Sequence, residues 1–85
     1  MLVGFDVTFC CVSHEIGDSN RRAINHIDKD IIVEDGVWIG ANALILPGVT
    51  IKKGCVIGAG AVVTKDCEEN GLYVGCPAKR VKNLP

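Results

Sequence analysis

VEDGVW, IGANAL, ILPGVT, IKKGCV, IGAGAV and VTKDCE follow one another without a gap from Val33 to Glu68. Aligned as hexads, their first column is Val33, Ile39, Ile45, Ile51, Ile57 and Val63, all large and β-branched. The fifth column, Val37, Ala43, Val49, Cys55, Ala61 and Cys67, is apolar and small to medium in size. The fourth column is Gly36, Asn42, Gly48, Gly54, Gly60 and Asp66, residue types that tolerate a positive φ. A period of six matches neither the 3.6 of an amphipathic helix nor a long alternating strand. It predicts short strands joined by tight corners, with the first and fifth columns turned inward. Ile and Val together number 20 against five Leu, which also favours strand over helix. Coils of this kind stack, each hexad pairing with those above and below it.

Upstream, Val3 and Phe9 continue the large column and Val7 the fifth, so residues 1–12 are expected to form part of an earlier coil. Residues 13–30 are polar and aperiodic and are expected to leave the coil as a protruding loop. Residues 31–68 then make about two full coils, and residues 69–85 a cap segment with turn signals at Asn70-Gly71 and Gly75-Cys76-Pro77. Within the cap, Ala78 to Leu84 fit a short basic helix or a strand. So short a stack leaves an open strand edge near Met1, which implies strong self-association or a place at the C-terminal end of a longer protein.

At 85 residues and 9.0 kDa the chain holds one domain. With 48% apolar and 22% charged residues it does not read as a disordered tail. A formal charge of −1 argues against electrostatic binding to nucleic acid. The longest uncharged run, Gly36 to Ile51, is 16 residues and is broken by Gly40, Pro47 and Gly48, too short to span a membrane. No basic start precedes the apolar opening, so no secretory signal is read and the cytoplasm is the expected compartment. Five cysteines without a C-x-x-C spacing point to reduced thiols rather than a disulfide framework.

Four stretches carry a resemblance: VTFCCVSHEIGDSN (7–20), DGVWIGANALILPGVTI (35–51), IGAGAVVTKD (57–66) and NGLYVGCPAKRVK (70–82). Together they resemble the hexapeptide-repeat acyltransferases, and within them the sugar O-acetyltransferase branch that includes galactoside and maltose acetyltransferases. The resemblance covers nearly the whole chain. It implies an all-β, left-handed parallel β-helix with three hexads per coil, so that Val33–Thr50 and Ile51–Glu68 are successive coils. The left hand comes from the resemblance alone, since general crossover chirality favours the right. It also implies a homotrimer, acetyl-CoA as acetyl donor, no metal, and a small-molecule acceptor of saccharide type. In that branch the acceptor also touches residues upstream of the segment present here, which leaves the acceptor half open.

Carried over position by position, the resemblance makes His14 the general base. An imidazole titrating near ~6.5 suits removal of a hydroxyl proton as the oxygen attacks a thioester. Ala41, Ala59, Thr64 and Lys65 match the coenzyme platform, with the Ala41 N–H as the candidate oxyanion donor. Packing in a tight coil explains the two alanines equally well. Lys79 and Lys82, in the PAK frame, match the basic residues at the nucleotide phosphates, while Arg80 beside them has no assigned facing. Trp38 faces outward by the period and either walls the acceptor pocket, packs beneath the loop, or does both. Glu15 and Asp18 either orient His14 or are ordinary loop charges. Arg21 and Arg22 face an acceptor, a neighbouring subunit or solvent, and His26 reads as a solvated side chain.

Two other functional classes compete. A metal enzyme like the γ-type carbonic anhydrases needs three histidines, and this chain has two, His14 and His26. A non-enzymatic or truncated assembly module is consistent with the short stack. Ice binding would need ranks of outward threonines, and only three Thr are present.

Overall fold

The computed structural model describes residues 1–16, 19–20 and 23–85, with the backbone alone described at 13–15 and 23–27. Among them the chain forms twelve strands and no helix. Strands β1 (Leu2–Val3), β2 (Thr8–Phe9) and β5 (Ile32–Val33) make a first turn. Strands β6 (Trp38–Ile39), β7 (Leu44–Ile45) and β8 (Thr50–Ile51) make the second, and β9 (Val56–Ile57) and β10 (Val62–Val63) begin the third. Trp38 lies opposite Val56, Leu44 opposite Val62 and Ile32 opposite Thr50, all in parallel register. Each pair is separated by 18 residues, so three hexads return the chain to the same face.

Between β2 and β5 the chain leaves the stack as an antiparallel pair, β3 (Val12–Ile16) and β4 (Ala23–Asp28), closed at its base by Lys29 N donating to Cys11 O at 2.9 Å. Residues 13–30 thus contain a strand ladder. Across this excursion Leu2 pairs with Trp38 and Thr8 with Leu44, offsets of 36 rather than 18. The inserted stretch adds a multiple of six, which is why Val3 and Phe9 keep phase with the hexads that follow.

The inward columns make the core. Ile39, Ile45, Ile51 and Ile57 are 0% exposed, and Val37, Ala43, Val49, Cys55, Ala61 and Val63 are buried beside them. Burying such a side chain contributes about 1.5–3 kcal/mol, and each isoleucine is covered by rungs on both sides. The first turn has a neighbour on one side only. Val3 and Phe9 remain 39% exposed, and a cavity of about 320 Å³ lined by Met1, Phe9, Cys11, Ile31 and Val33 opens at this end.

Corners with positive φ fall at Asp6, Gly36, Asn42, Gly48, Gly54 and Gly60, as the fourth column predicts. The last hexad departs from the pattern. Cys67 bridges Ile51 instead of lying 18 residues from Val49, so this corner is two residues shorter than the one beneath it. Asp66 does not take a positive φ. Its carboxylate instead accepts the Thr50 N–H at 2.8 Å, supplying the acceptor that the missing residues would have provided. Asn70, with φ 54°, becomes the next corner and its N–H bonds Lys53 O. Strand β11 (Gly71–Val74) then pairs with β9 at an offset of 16, Leu72 opposite Val56. Gly75 and a cis Cys76–Pro77 bond turn the chain into β12 (Lys79–Asn83), which runs antiparallel to β11. The basic tail is a strand.

Candidate active site

Ala41 and Ala59 occupy equivalent places in successive turns at the corner between the β6–β9 face and the β7–β10 face. Gly60 N donates to Ala41 O at 2.8 Å, and Asn42 N donates to Phe5 O one turn below. The stack is unusually close here because glycines precede the alanines. A Cβ on Gly40 would lie 2.7 Å from Ala59 N, and one on Gly4 would lie 2.8 Å from Ala41 N. Any side chain at either position would drive the rungs apart. Among the described residues, neither Ala41 N nor Ala59 N donates to a backbone carbonyl. Ala41 is half-buried and Ala59 exposed. The corner therefore offers backbone donors beside small side chains, a form that admits close approach by an extended amide-bearing ligand.

Trp38, 53% exposed, stands on the face leading into this corner. Its strand neighbours in the outward row are Leu2, Val56 and Leu72. The outward facing expected from the period is what the structure has, and the row makes an apolar strip along one side of the stack.

Thr64 and Lys65 lie at the next corner, above Pro47–Gly48, and both are exposed. The base of the β3–β4 pair leaves the stack at this same corner. A Cβ on Gly48 would touch Lys29 Cδ at 3.1 Å, so the strand pair's root presses on the turn below Thr64 and Lys65. His14 belongs to β3, three residues beyond Cys11, and its backbone pairs with that of His26. The side chains of His14, Glu15 and His26 fall outside the described residues, as do Asp18, Arg21 and Arg22 altogether.

Within one chain, then, the predicted residues divide into three groups. Ala41, Ala59 and Trp38 gather at one corner and its approach. Thr64, Lys65 and the root of the His14 strand gather at another, with β7 and β10 between them. Lys79 and Lys82 project from β12 at the end of the first face, both exposed.

Arg80, left without a facing by the sequence, has the most contacts of the tail cations. It donates to Glu68 O at 3.2 Å, Glu69 O at 3.0 Å, Asn70 O at 3.4 Å, the Tyr73 hydroxyl at 3.3 Å and Asn83 Oδ1 at 2.8 Å. It also lies 5.8 Å from the Tyr73 ring centre. Tyr73 is nearly buried, and its hydroxyl accepts the Glu68 N–H at 2.9 Å. Nothing in the hexad pattern signals this, because the residues that Arg80 grips lie after the two-residue shortening. Nearby, Lys52 pairs with Glu68 at 2.8 Å, and the bond raises its pKa. Burial pushes the Cys67 thiol up to about 12, with Cys55 adding to the effect, so this cysteine is a core atom rather than a nucleophile.

No helix among the described residues is long and apolar enough to cross a membrane. Residues 30–65 match the family model described as bacterial transferase hexapeptide (six repeats). The chain is 38% identical over 77 residues to a galactoside O-acetyltransferase of Lactococcus lactis, covering 91% of this chain and 37% of that protein. It is 50% identical over 52 residues to a 2,3,4,5-tetrahydropyridine-2,6-dicarboxylate N-acetyltransferase of Staphylococcus aureus, covering 61% of this chain and 22% of that one. The crystal structure of a hexapeptide-repeat-containing acetyltransferase from Vibrio cholerae, complexed with acetyl coenzyme A, superposes with a TM-score of 0.88 at 38% identity. That likeness covers 98% of this chain and 46% of the other. The chain spans about two fifths or less of the length of the curated relatives it matches.

Proposed function

Because this chain belongs to the hexapeptide-repeat transferase family, we propose that it winds as a left-handed parallel β-helix and supplies the coenzyme-binding rungs of an acetyl-CoA-dependent O-acetyltransferase. The observation that carries the reading is the Ala41–Ala59 corner. Two backbone N–H groups stand there without a backbone partner among the described residues, and Gly4 and Gly40 hold the rungs close. The amides of a pantetheine arm need such donors, and the small side chains leave it room. Ala41 N–H is the candidate donor to the thioester oxygen as negative charge builds on it.

The separation of this corner from Thr64, Lys65 and the His14 strand supports a site completed between adjacent copies in a homotrimer. One subunit's alanine corner would face the next subunit's histidine. His14 would take the acceptor hydroxyl proton as that oxygen forms its bond to the acetyl carbon. The carbon–sulfur bond then breaks, and the proton passes to the departing sulfur, so no acyl-enzyme is needed. Lys65, Lys79 and Lys82 would hold the nucleotide phosphates, and Trp38 would form a wall of the acceptor pocket. A saccharide hydroxyl is favoured over an amine because the galactoside O-acetyltransferase match extends through 91% of the chain, against 61% for the N-acetyltransferase. The cytoplasm, where acetyl-CoA is made, is the compartment that goes with this chemistry.

Calorimetric titration of the purified 85-residue chain with coenzyme A tests the donor half. The expected result is one site per chain, weakened several-fold by Lys65→Ala. A folded assembly that binds no coenzyme A refutes the reading in favour of a structural module. For the catalytic half, His14→Ala should reduce turnover by about 10²–10⁴-fold with coenzyme affinity retained. Unchanged turnover in that variant removes His14 from the role.

A further inference from the structure

In a regular strand, residues an odd number apart face opposite sides. Lys79 and Lys82 are three apart, and on that rule they cannot serve one ligand. The pairing of β12 with β11 breaks the rule. Leu72 lies opposite Lys82 and Tyr73 opposite Arg80, so one step on β11 is matched by two on β12, with Val81 as the extra residue. Leu72 belongs to the outward row and Tyr73 to the core, while Val74 points outward again. By this bulged register Lys82 shares the outer face with Leu72, and Lys79, opposite Val74, shares it too. Arg80, still solvent-exposed, lies instead on the Tyr73 side of the strand, over the ring and beside Asn83. The bulge brings the two lysines to one face.

Arg80 holds that register. Its guanidinium is a rigid fork of donors, and here the fork spans three consecutive carbonyls, Glu68, Glu69 and Asn70, at the corner made by the shortened last hexad. The Tyr73 hydroxyl fastens the same corner from below through the Glu68 N–H, and Asn83 Oδ1 ties Arg80 to the far end of its own strand. A strand without the bulge would put Arg80 and Lys82 on one face and Lys79 on the other. The anchor on the Tyr73 side therefore decides the outward facing of both neighbours.

We propose that Arg80 is a positioning residue for donor binding: by pinning the β12 bulge over Tyr73 and the Glu68–Asn70 carbonyls, it presents Lys79 and Lys82 on one face to the phosphates of the coenzyme. This rests on the coenzyme reading above. Lys79 and Lys82 make the phosphate contacts, and Arg80 acts through them.

The test is a cycle of coenzyme A affinities by calorimetry on the full 85-residue chain. Wild type, Arg80→Leu, Lys79→Ala/Lys82→Ala and the triple variant are compared at one salt concentration. Arg80→Leu should weaken coenzyme A about tenfold against wild type and less than twofold when both lysines are already alanine. Arg80→Lys keeps the charge but loses the fork, and should also weaken binding several-fold. It serves in place of Arg80→Leu if that variant does not fold, as judged by thermal melting. An unchanged affinity in the Arg80 variants overturns the assignment. An equal loss with and without the lysines overturns it as well, since a general loosening of the cap would act in both backgrounds. If wild type itself binds no coenzyme A, the coenzyme reading is refuted, and this assignment falls with it.

Discussion

Replacing Gly40 with alanine sets two physical effects against each other. The φ of Gly40 is not positive, so on backbone grounds alanine is permitted, and loss of unfolded-state freedom should stabilise the fold by about 0.4–1 kcal/mol. Packing argues the opposite. The added Cβ would meet Ala59 N at 2.7 Å, Ala59 Cα at 3.0 Å and the Gly58 carbonyl carbon at 3.0 Å. All three are backbone atoms of the next turn, so no side-chain rotation relieves the clash. The turn is also held by Gly40 N donating to Ile57 O at 2.7 Å and Gly60 N to Ala41 O at 2.8 Å. Opening the rungs by several tenths of an ångström would stretch both bonds and uncover Ile39 and Ile57. Overpacking of this kind costs about 1–3 kcal/mol, which exceeds the entropic gain. Gly40→Ala should therefore be net destabilising, read as a lower urea midpoint at unchanged slope. The same change at Gly60 has nothing within 4 Å to meet but must adopt a φ of 72°. Gly60→Asn should accordingly be tolerated better than Gly60→Ala, while at Gly40 both should fail. A Gly40→Ala chain as stable as wild type would refute the close stacking on which the alanine corner depends.

Other consequences follow from single contacts. Ile45→Ala should cost about 2–5 kcal/mol in urea unfolding, because Ile45 is fully buried, whereas Ile32→Ala, at an outward-facing position of β5 that is 54% exposed, should cost well under half of that. Removing the Asp66 carboxylate by Asp66→Ala takes the acceptor from the Thr50 N–H at an exposed corner and should destabilise by about 0.5–1.5 kcal/mol, with Asp66→Asn recovering most of the loss. The Cys67 thiol is raised from 9.0 to about 12, so its neutral form is the one the fold favours. Its contribution is fully present below pH 9 and is lost as the pH climbs toward 12, which a urea series between pH 8 and 10.5 should register as declining stability that Cys67→Ala flattens. In the native chain at pH 8, Cys11 and Cys76 are exposed and should react with a thiol reagent while Cys55 and Cys67 stay protected until unfolding. Rapid labelling of all five cysteines would contradict the core.

The repeat was legible because burial acts on whole columns. Every first-column residue from Ile39 to Val63 is covered by the same kind of neighbour, so one chemical requirement is written five times at a fixed spacing. Corner residues repeat for a similar reason, since Gly36, Gly48, Gly54 and Gly60 all meet one backbone demand, and Asn42 meets it as well. The two-residue shortening at Thr64–Cys67 was not legible. VTKDCE keeps apolar residues at its first and fifth positions, and Cys67 is buried whichever rung it joins. What distinguishes the two registers is whether the Thr50 N–H finds a backbone carbonyl or the Asp66 carboxylate, and a hydrophobic pattern carries no information on that choice. The β3–β4 ladder escaped for another reason. Its residues follow no sustained apolar period, and strand pairing away from the core leaves little trace in hydropathy.

The cations of the cap carry a different kind of signal from core residues, and Arg80 shows how. Its neighbours Lys79 and Lys82 stand out in CPAKRVK because a run of cations suggests a polyanion, and on that basis all three look equivalent. Their separation into two outward charges and one anchor on the Tyr73 side depends on Val81 being an unpaired extra residue, which in turn depends on the Glu68–Asn70 corner lying where the shortened hexad puts it. The chain of causes runs from a missing pair of residues at one corner, through the offset of 16 on β11, to the facing of a lysine ten or more residues later. Each link is a hydrogen bond or a register, and none is a composition. A core can be read from a single sequence because it repeats its one rule. The surface at the end of a repeat is made where the rule is broken, and the break has to be seen before the facing of its side chains can be read.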